Sequence, residues 1–310
     1  MFCCFCFSII FMQLFPCFFV YKITRQTGGV AMMKKGTILL SLLLAVSLLL
    51  FCGCEREQEV TSLRIVDGAA TGQLVLAGER ASDVYTLDVK DLKVFLDGKK
   101  ADASVLEDGM MVEIVHSGWI QTTYPGTFSD VYEIRVYSLG SEKNPGGSYY
   151  DVCGLYLQVL DDLWNADAGL NDELQYISVD LTDAPGNLTD GEKAAIAWIF
   201  GGKHGVQALT LTSEELKEQG YFTEIVYTGT GLPMSTDDNR PKAYLWEDGV
   251  LFTIIDNMGQ DAVSYSLPVI KFNAWKWRTP LGAYYFHNCS AVWPQIGTWS
   301  NYNVEHEMIS

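Results

Sequence analysis

Residues 112–136 read VEIVHSGWIQTTYPGTFSDVYEIRV. Apolar and polar residues alternate at both ends of this stretch, and Tyr124-Pro125-Gly126 breaks it in the middle. Alternation bounded by a Pro-Gly turn reads as strand, turn, strand, here Met111–His116 and Val131–Tyr137. The same pattern continues upstream in Gln73–Ala77, Val84–Val89 and Lys93–Leu96. Asp67-Gly68, Asp97-Gly98 and Asp108-Gly109 separate these runs, and Asp-Gly pairs between strand-like runs are strong hairpin signals. Residues 63–140 therefore read as a small β domain, and several short strands in so little chain suggest a barrel.

Downstream, GSEKNPGGS at 140–148 disfavours helix and strand, and 141–148 reads as a linker. The chain then changes period. Val152, Leu155, Tyr156, Val159, Leu160, Leu163 and Trp164 form one helical stripe. Thr189-Asp190-Gly191-Glu192 and Thr212-Ser213-Glu214-Glu215 are capping-box patterns, each opening a further helix. The first of these is expected to run to Phe200 and stop at Gly201-Gly202, and Gly220 to close the second. From Phe222 the pattern is β again, in Phe222–Tyr227, Ala243–Trp246, Val250–Asp256, Val263–Trp277, Ala283–Trp293 and Trp299–Ile309. Helices early and a meander late predict an α+β domain over 149–310, with helices packed on a curved antiparallel sheet.

The N-terminus is of another kind. No Asp or Glu occurs from Met1 to Gly53, and five of the eight Cys lie there. Beyond it stand 17 basic and 38 acidic residues, a formal charge of −21. Nucleic acid is an unsuitable partner for such a chain, because its binders neutralise phosphates with Lys and Arg. Met33-Lys34-Lys35, the apolar run Thr37–Phe51 and Phe51-Cys52-Gly53-Cys54 follow the order of a secretory signal peptide, here 33–53. Residues 54–62 are polar and read as a tether. Residues 1–32 hold a second apolar run, and Gly28-Gly29 stands just before Met32-Met33 as a translated ribosome-binding site would. They are read as a mis-assigned start or as an extra apolar segment.

Two resemblances follow from these residues. Phe51-Cys52-Gly53-Cys54 resembles the lipobox of bacterial lipoproteins, with Phe51 and Cys52 departing from its commonest residues. It implies a diacylglyceryl group on Cys54 and a body held by that lipid on the extracytoplasmic face of the cell membrane. Val112–Val136 resembles a small OB-like domain of unknown function found in secreted lipoproteins of Gram-positive bacteria. That resemblance implies a fold and no activity.

The chemistry-bearing residues are sparse. No phosphate loop, nucleophile elbow, HExxH or paired CxxC is present, so no catalytic residue, cofactor or metal is assigned. Cys153 and Cys289 are candidates for one disulfide joining the first helix to the late sheet, or for two reduced core thiols. His287 and Cys289 stand two apart on an expected strand, where side chains share a face. This is the spacing of a thiolate–imidazolium pair, and also of a plain core thiol beside a half-exposed His. Asp167, Asn171 and Asp172 offer oxygens for a loose Ca²⁺ site, although no EF-hand frame fits. Trp275 and Trp277 share one face of their strand, Lys276 and Arg278 the other. With Trp293 and Trp299 they are either core or the wall of an aromatic groove for glycan or peptide. A non-catalytic ligand- or partner-binding protein of the cell envelope is the expected function. An envelope hydrolase acting on glycan or peptide, and an interaction or inhibitor module for an envelope protein, are the alternatives.

Overall fold

The computed structural model describes residues 58–138, 141, 152–225, 243–257, 269–292 and 302–310. Residues 57–310 form one compact unit. Among the described residues strand dominates, at 46% against 20% helix.

The first nine strands are β1 (Glu59–Asp67), β2 (Gln73–Ala77), β3 (Val84–Asp88), β4 (Val94–Leu96), β5 (Lys99–Ala101), β6 (Met111–His116), β7 (Ile120–Gln121), β8 (Gly126–Phe128) and β9 (Val131–Val136). They make one sheet in the order β5-β4-β9-β6-β1-β2-β3-β8-β7. The sheet curls round an apolar cluster that includes Leu63, Leu74, Ile114, Phe128 and Ile134. Its end strands β5 and β7 do not pair with each other, so no barrel closes. Pairing is mixed, since β3 with β8 and β4 with β9 run parallel.

The expected OB-like barrel followed by an α+β domain is overturned by this sheet-rich, open architecture. The physical reason lies in β1 and β2. Leu63, Ile65, Leu74 and Leu76 face the curled cluster, while Val66, Val75 and Ala77 face a second core. A small barrel offers its strands one apolar interior, whereas these strands are covered on both faces. β1 also begins at Glu59, inside the stretch read as a tether.

The second core belongs to the helices. These are α1 (Cys153–Asn165), α2 (Asp190–His204) and α3 (Ser213–Glu218). α1 buries the stripe expected of it, with Leu155, Tyr156, Val159, Leu160 and Leu163 sealed from water. It packs on β1 of the first sheet and on two strands of the second, β15 (Val269–Thr279) and β16 (Gly282–Val292). α2 packs on β1, β2 and β3 of the first sheet. On its other side it meets β10 (Tyr176–Asp180) and β11 (Gln207–Leu209) of the second. The two helices are thus the filling between two sheets.

Both capping boxes form. Thr189 accepts from the Glu192 amide at 3.1 Å and Glu192 reaches back to the Thr189 amide at 2.9 Å; Thr212 and Glu215 repeat the arrangement. α2 does not stop at Gly201-Gly202. It ends at Gly205, whose φ of +69° is the left-handed turn that closes helices. Gly201 serves contact instead: a Cβ there would stand 2.7 Å from that of Ala208 on β11.

The second sheet runs β11-β10-β14-β15-β16-β17, where β14 is Gly249–Asp256 and β17 is Tyr302–Asn303. β18 (His306–Ile309) also pairs with β16. β10 is parallel to both its neighbours, and the rest of the sheet is antiparallel. A separate hairpin, β12 (Thr223–Ile225) with β13 (Ala243–Leu245), precedes β14. Among the described residues no helix is long and apolar enough to cross a membrane.

Candidate functional site

Strand β15 has two unlike faces. Phe272, Ala274 and Lys276 point toward the helices and are wholly buried, while Trp275 and Trp277 point the other way and are half-buried. The tryptophans therefore lie on the side of the sheet turned from α1 and α2.

Around Trp277 this outer face is furnished. Leu216 of α3, Trp246 and Leu251 form a small core there, with Tyr221, Phe222 and Trp277 packed against it. Beside it opens a cleft of about 430 Å³. Trp277, Phe222 and Tyr244 give it aromatic walls; Ser213, Glu214 and Lys217 bring one hydroxyl, one carboxylate and one ammonium to its rim. Phe222 and Trp277 stand 5.1 Å apart, and the Lys217 ammonium lies 4.4 Å above the Tyr244 ring, within cation–π range. The helix supplies the rim because its capping box fixes where Ser213, Glu214 and Lys217 start. The β12–β13 pairing supplies Tyr244, and the loop before it Phe222. An apolar, aromatic cavity of this size with few convergent polar groups is the usual form of a small-ligand site. A larger groove, about 660 Å³, runs along α2 and β11, but its lining carries no charged side chain.

Trp275 starts a second aromatic feature. It neighbours Tyr285 across the strands at 6.3 Å, and Tyr285 stacks on His287 at 5.6 Å with rings 5° apart. This row and the cleft occupy the same outer face. Trp293, Trp299 and Cys54 lie outside the described residues, as do the rest of residues 1–57.

The His287–Cys289 pair does not form. A β-bulge sits between them: Phe272 faces Cys289 while Ala274 faces Phe286, so two residues of β16 oppose one of β15. Asn288 takes the left-handed conformation, φ +54°, and the strand's parity inverts. His287 stays on the outer face, and Cys289 turns into the core with Phe286 and Ala291. Burial pushes the Cys289 thiol up to about 12, the opposite of an activated nucleophile. Cys153 is buried in the same cluster, and in this structure no bond joins the two sulfurs.

The loop read as a loose Ca²⁺ site holds a cation of another kind. The Lys276 ammonium enters it from β15 and donates to the Trp164 carbonyl at 3.2 Å, the Asp167 carbonyl at 2.9 Å and Asn171 Oδ1 at 3.2 Å. Next to it the Arg278 guanidinium donates to the carbonyls of Leu170 at 3.1 Å and Asp172 at 2.8 Å, and to that of Glu247. Four backbone carbonyls at this loop and the Asn171 side-chain oxygen thus serve two basic side chains. Burial lowers the Lys276 ammonium to about 8, with Asp167 acting against the shift.

The acidic start of α2 is structural as well. Glu192 bonds Arg64 of β1 at 2.5 Å, and Thr189 donates to the Gly78 carbonyl at 2.6 Å. The start of α2 is thereby fixed to the first sheet.

Sequence reading placed Trp275 and Trp277 together on one face of their strand and left open whether that face is core or groove. It missed Phe222, Tyr244 and Lys217, which pairing and helix placement bring together from separate segments. No family model, curated protein or solved structure matches this chain.

Proposed function

We propose that this chain is a lipoprotein, anchored through Cys54 on the extracytoplasmic face of the membrane, whose body binds a glycan of the cell envelope without cleaving it. The observation that carries the reading is the cleft of Trp277, Phe222 and Tyr244 with Ser213, Glu214 and Lys217 at its rim. Sugar rings present apolar C–H faces and a fringe of hydroxyls. Aromatic walls suit the faces, and a carboxylate, an ammonium and a hydroxyl suit the fringe. Hydrolysis of a glycosidic bond calls for two carboxyl groups flanking it; among the described residues the cleft lining has one, Glu214. The basic–apolar–Cys54 order supports the anchor.

The test is titration of the body with soluble cell-wall glycan fragments, followed by calorimetry. Tyr244→Ala is expected to weaken binding about tenfold, which corresponds to roughly 1.4 kcal/mol and is the scale of one aromatic contact. Its unchanged thermal unfolding would show that the loss is local. Fragments that bind Tyr244→Ala, Lys217→Ala and the parent equally would sink the cleft. The anchor is tested separately, since Cys54→Ala should move the protein from the membrane fraction to the medium.

A further inference from the structure

Trp119 is the most exposed aromatic residue among the large exposed hydrophobics, 75% accessible. Its backbone is nevertheless fixed. The Ser129 amide donates to the Trp119 carbonyl at 3.0 Å, and the Ser117 amide to that of Asp130 at 3.0 Å. The indole is thus held out in water by an ordered strand connection, at the base of the β7–β8 hairpin.

Its position along the chain matters. β1 begins at Glu59, and Glu59 is the register partner of His116 on β6. Gly118 lies directly against Glu59: a Cβ on that glycine would stand 2.9 Å from the Glu59 carboxylate. Trp119 is the next residue. Four residues lie between Cys54 and Glu59, and the five Cα steps joining them span at most about 18 Å. A lipid on Cys54 therefore brings the bilayer surface to the end of β1 where Trp119 projects. Val60, the second residue of β1, is itself half exposed. The connection from Ser117 to Ser129 carries no charged residue, in a chain of formal charge −17.

We propose that Trp119 is a membrane foot: its indole seats in the headgroup region beside the anchor and fixes the body's orientation on the bilayer. Tryptophan prefers that zone because its ring is apolar while its N–H still finds a polar partner. The inference rests on the anchoring reading above. Glu59, against Gly118, and Asp130, whose carbonyl holds the Ser117 amide, are the charged residues nearest in the backbone framework of Trp119 and both are acidic, so the contact draws nothing from anionic lipid and should survive high salt.

The experiment uses the full chain purified from membranes, labelled with 5-fluorotryptophan and placed in phosphatidylcholine nanodiscs. Mass spectrometry of the N-terminal peptide first establishes whether Cys54 carries diacylglycerol. The resonance missing from Trp119→Phe identifies Trp119. Nitroxide-bearing phosphatidylcholine should remove most of its intensity, at low and at high salt, while the buried Trp246 resonance keeps its own. A lipidated protein whose Trp119 signal persists, whether the indole faces water or a second copy, overturns the foot and leaves the anchor standing. A Cys54 without lipid overturns both.

Discussion

Replacing Lys276 by methionine keeps the length of the side chain and removes its ammonium. In the parent that group is wholly buried and donates to three oxygens of the loop after α1. A buried acceptor left without its donor costs about 1 kcal/mol, so three cost about 3 kcal/mol. Removing a buried charge returns part of this, because desolvation disfavours the ammonium in the fold. A net loss of about 2 kcal/mol remains, or a Tm lower by roughly 4–8 °C for a body of this size. The pH dependence tests the cause. The folded ammonium titrates at about 8, below the ordinary 10.5. Between those values the unfolded chain binds a proton that the folded chain has released, so parent stability rises with pH relative to the variant. Urea unfolding of both proteins at several values from pH 7 to 10.5 should show the gap widening as pH increases. A gap that narrows would mean that the fold favours the charged form. A Tm change under about 1 °C would mean that the three oxygens gain nothing from Lys276.

Three further outcomes are expected. His116 is buried; its Nδ1 accepts from the Gly118 amide at 3.1 Å, which makes Nε2 the donor to Thr61 at 2.9 Å, and burial holds its pKa below the ordinary 6.5. Stability should therefore fall as pH drops through 6.5, and His116→Gln should flatten that part of the profile relative to the parent. Arg64→Met strands the Glu192 carboxylate, only 7% exposed, and should cost roughly 3–5 kcal/mol in urea unfolding; a cost near zero would remove the ion pair from the account. Gly191→Ala should gain up to about 1 kcal/mol of helix propensity, yet its new Cβ would meet the Gly78 carbonyl oxygen at 2.3 Å, so a lower Tm is expected and a higher one refutes the docking of α2 on the first sheet.

Local signals were the readable part of this sequence. The α1 stripe and the two capping boxes depend on spacings within one turn or a few, and all three appear where the pattern puts them. What went unread depends on partners distant in sequence. Gly201 looks like a helix stop until β11 is known to lie against it. The buried positions of β2 run Leu74 to Ala77 without a polar break, because a second core covers its other face. Alternation along β16 fails at one residue, Asn288, and that single bulge separates His287 from Cys289. The parallel pairs β3–β8 and β4–β9 leave no local trace, so a hairpin reading closed a barrel that stays open. In the cleft, Trp277 was legible from period-two alternation, whereas Phe222, Tyr244 and Lys217 needed the β12–β13 pairing and the seat of α3.

The two-sided burial of β1 and β2 also orders events in time. A nascent chain folds from its N-terminus, and these strands emerge with Val66, Val75 and Ala77 facing the place of two helices not yet made. The first, α1, begins 87 residues after Val66, at Cys153, and α2, which covers β2, begins only at Asp190. At roughly 5–20 residues per second the wait is on the order of ten seconds. During it, an apolar sheet face stands open to whatever holdase or stray strand is nearby. A product cut short between β9 and α1 keeps that face for good, and is the fragment of this protein most prone to aggregate.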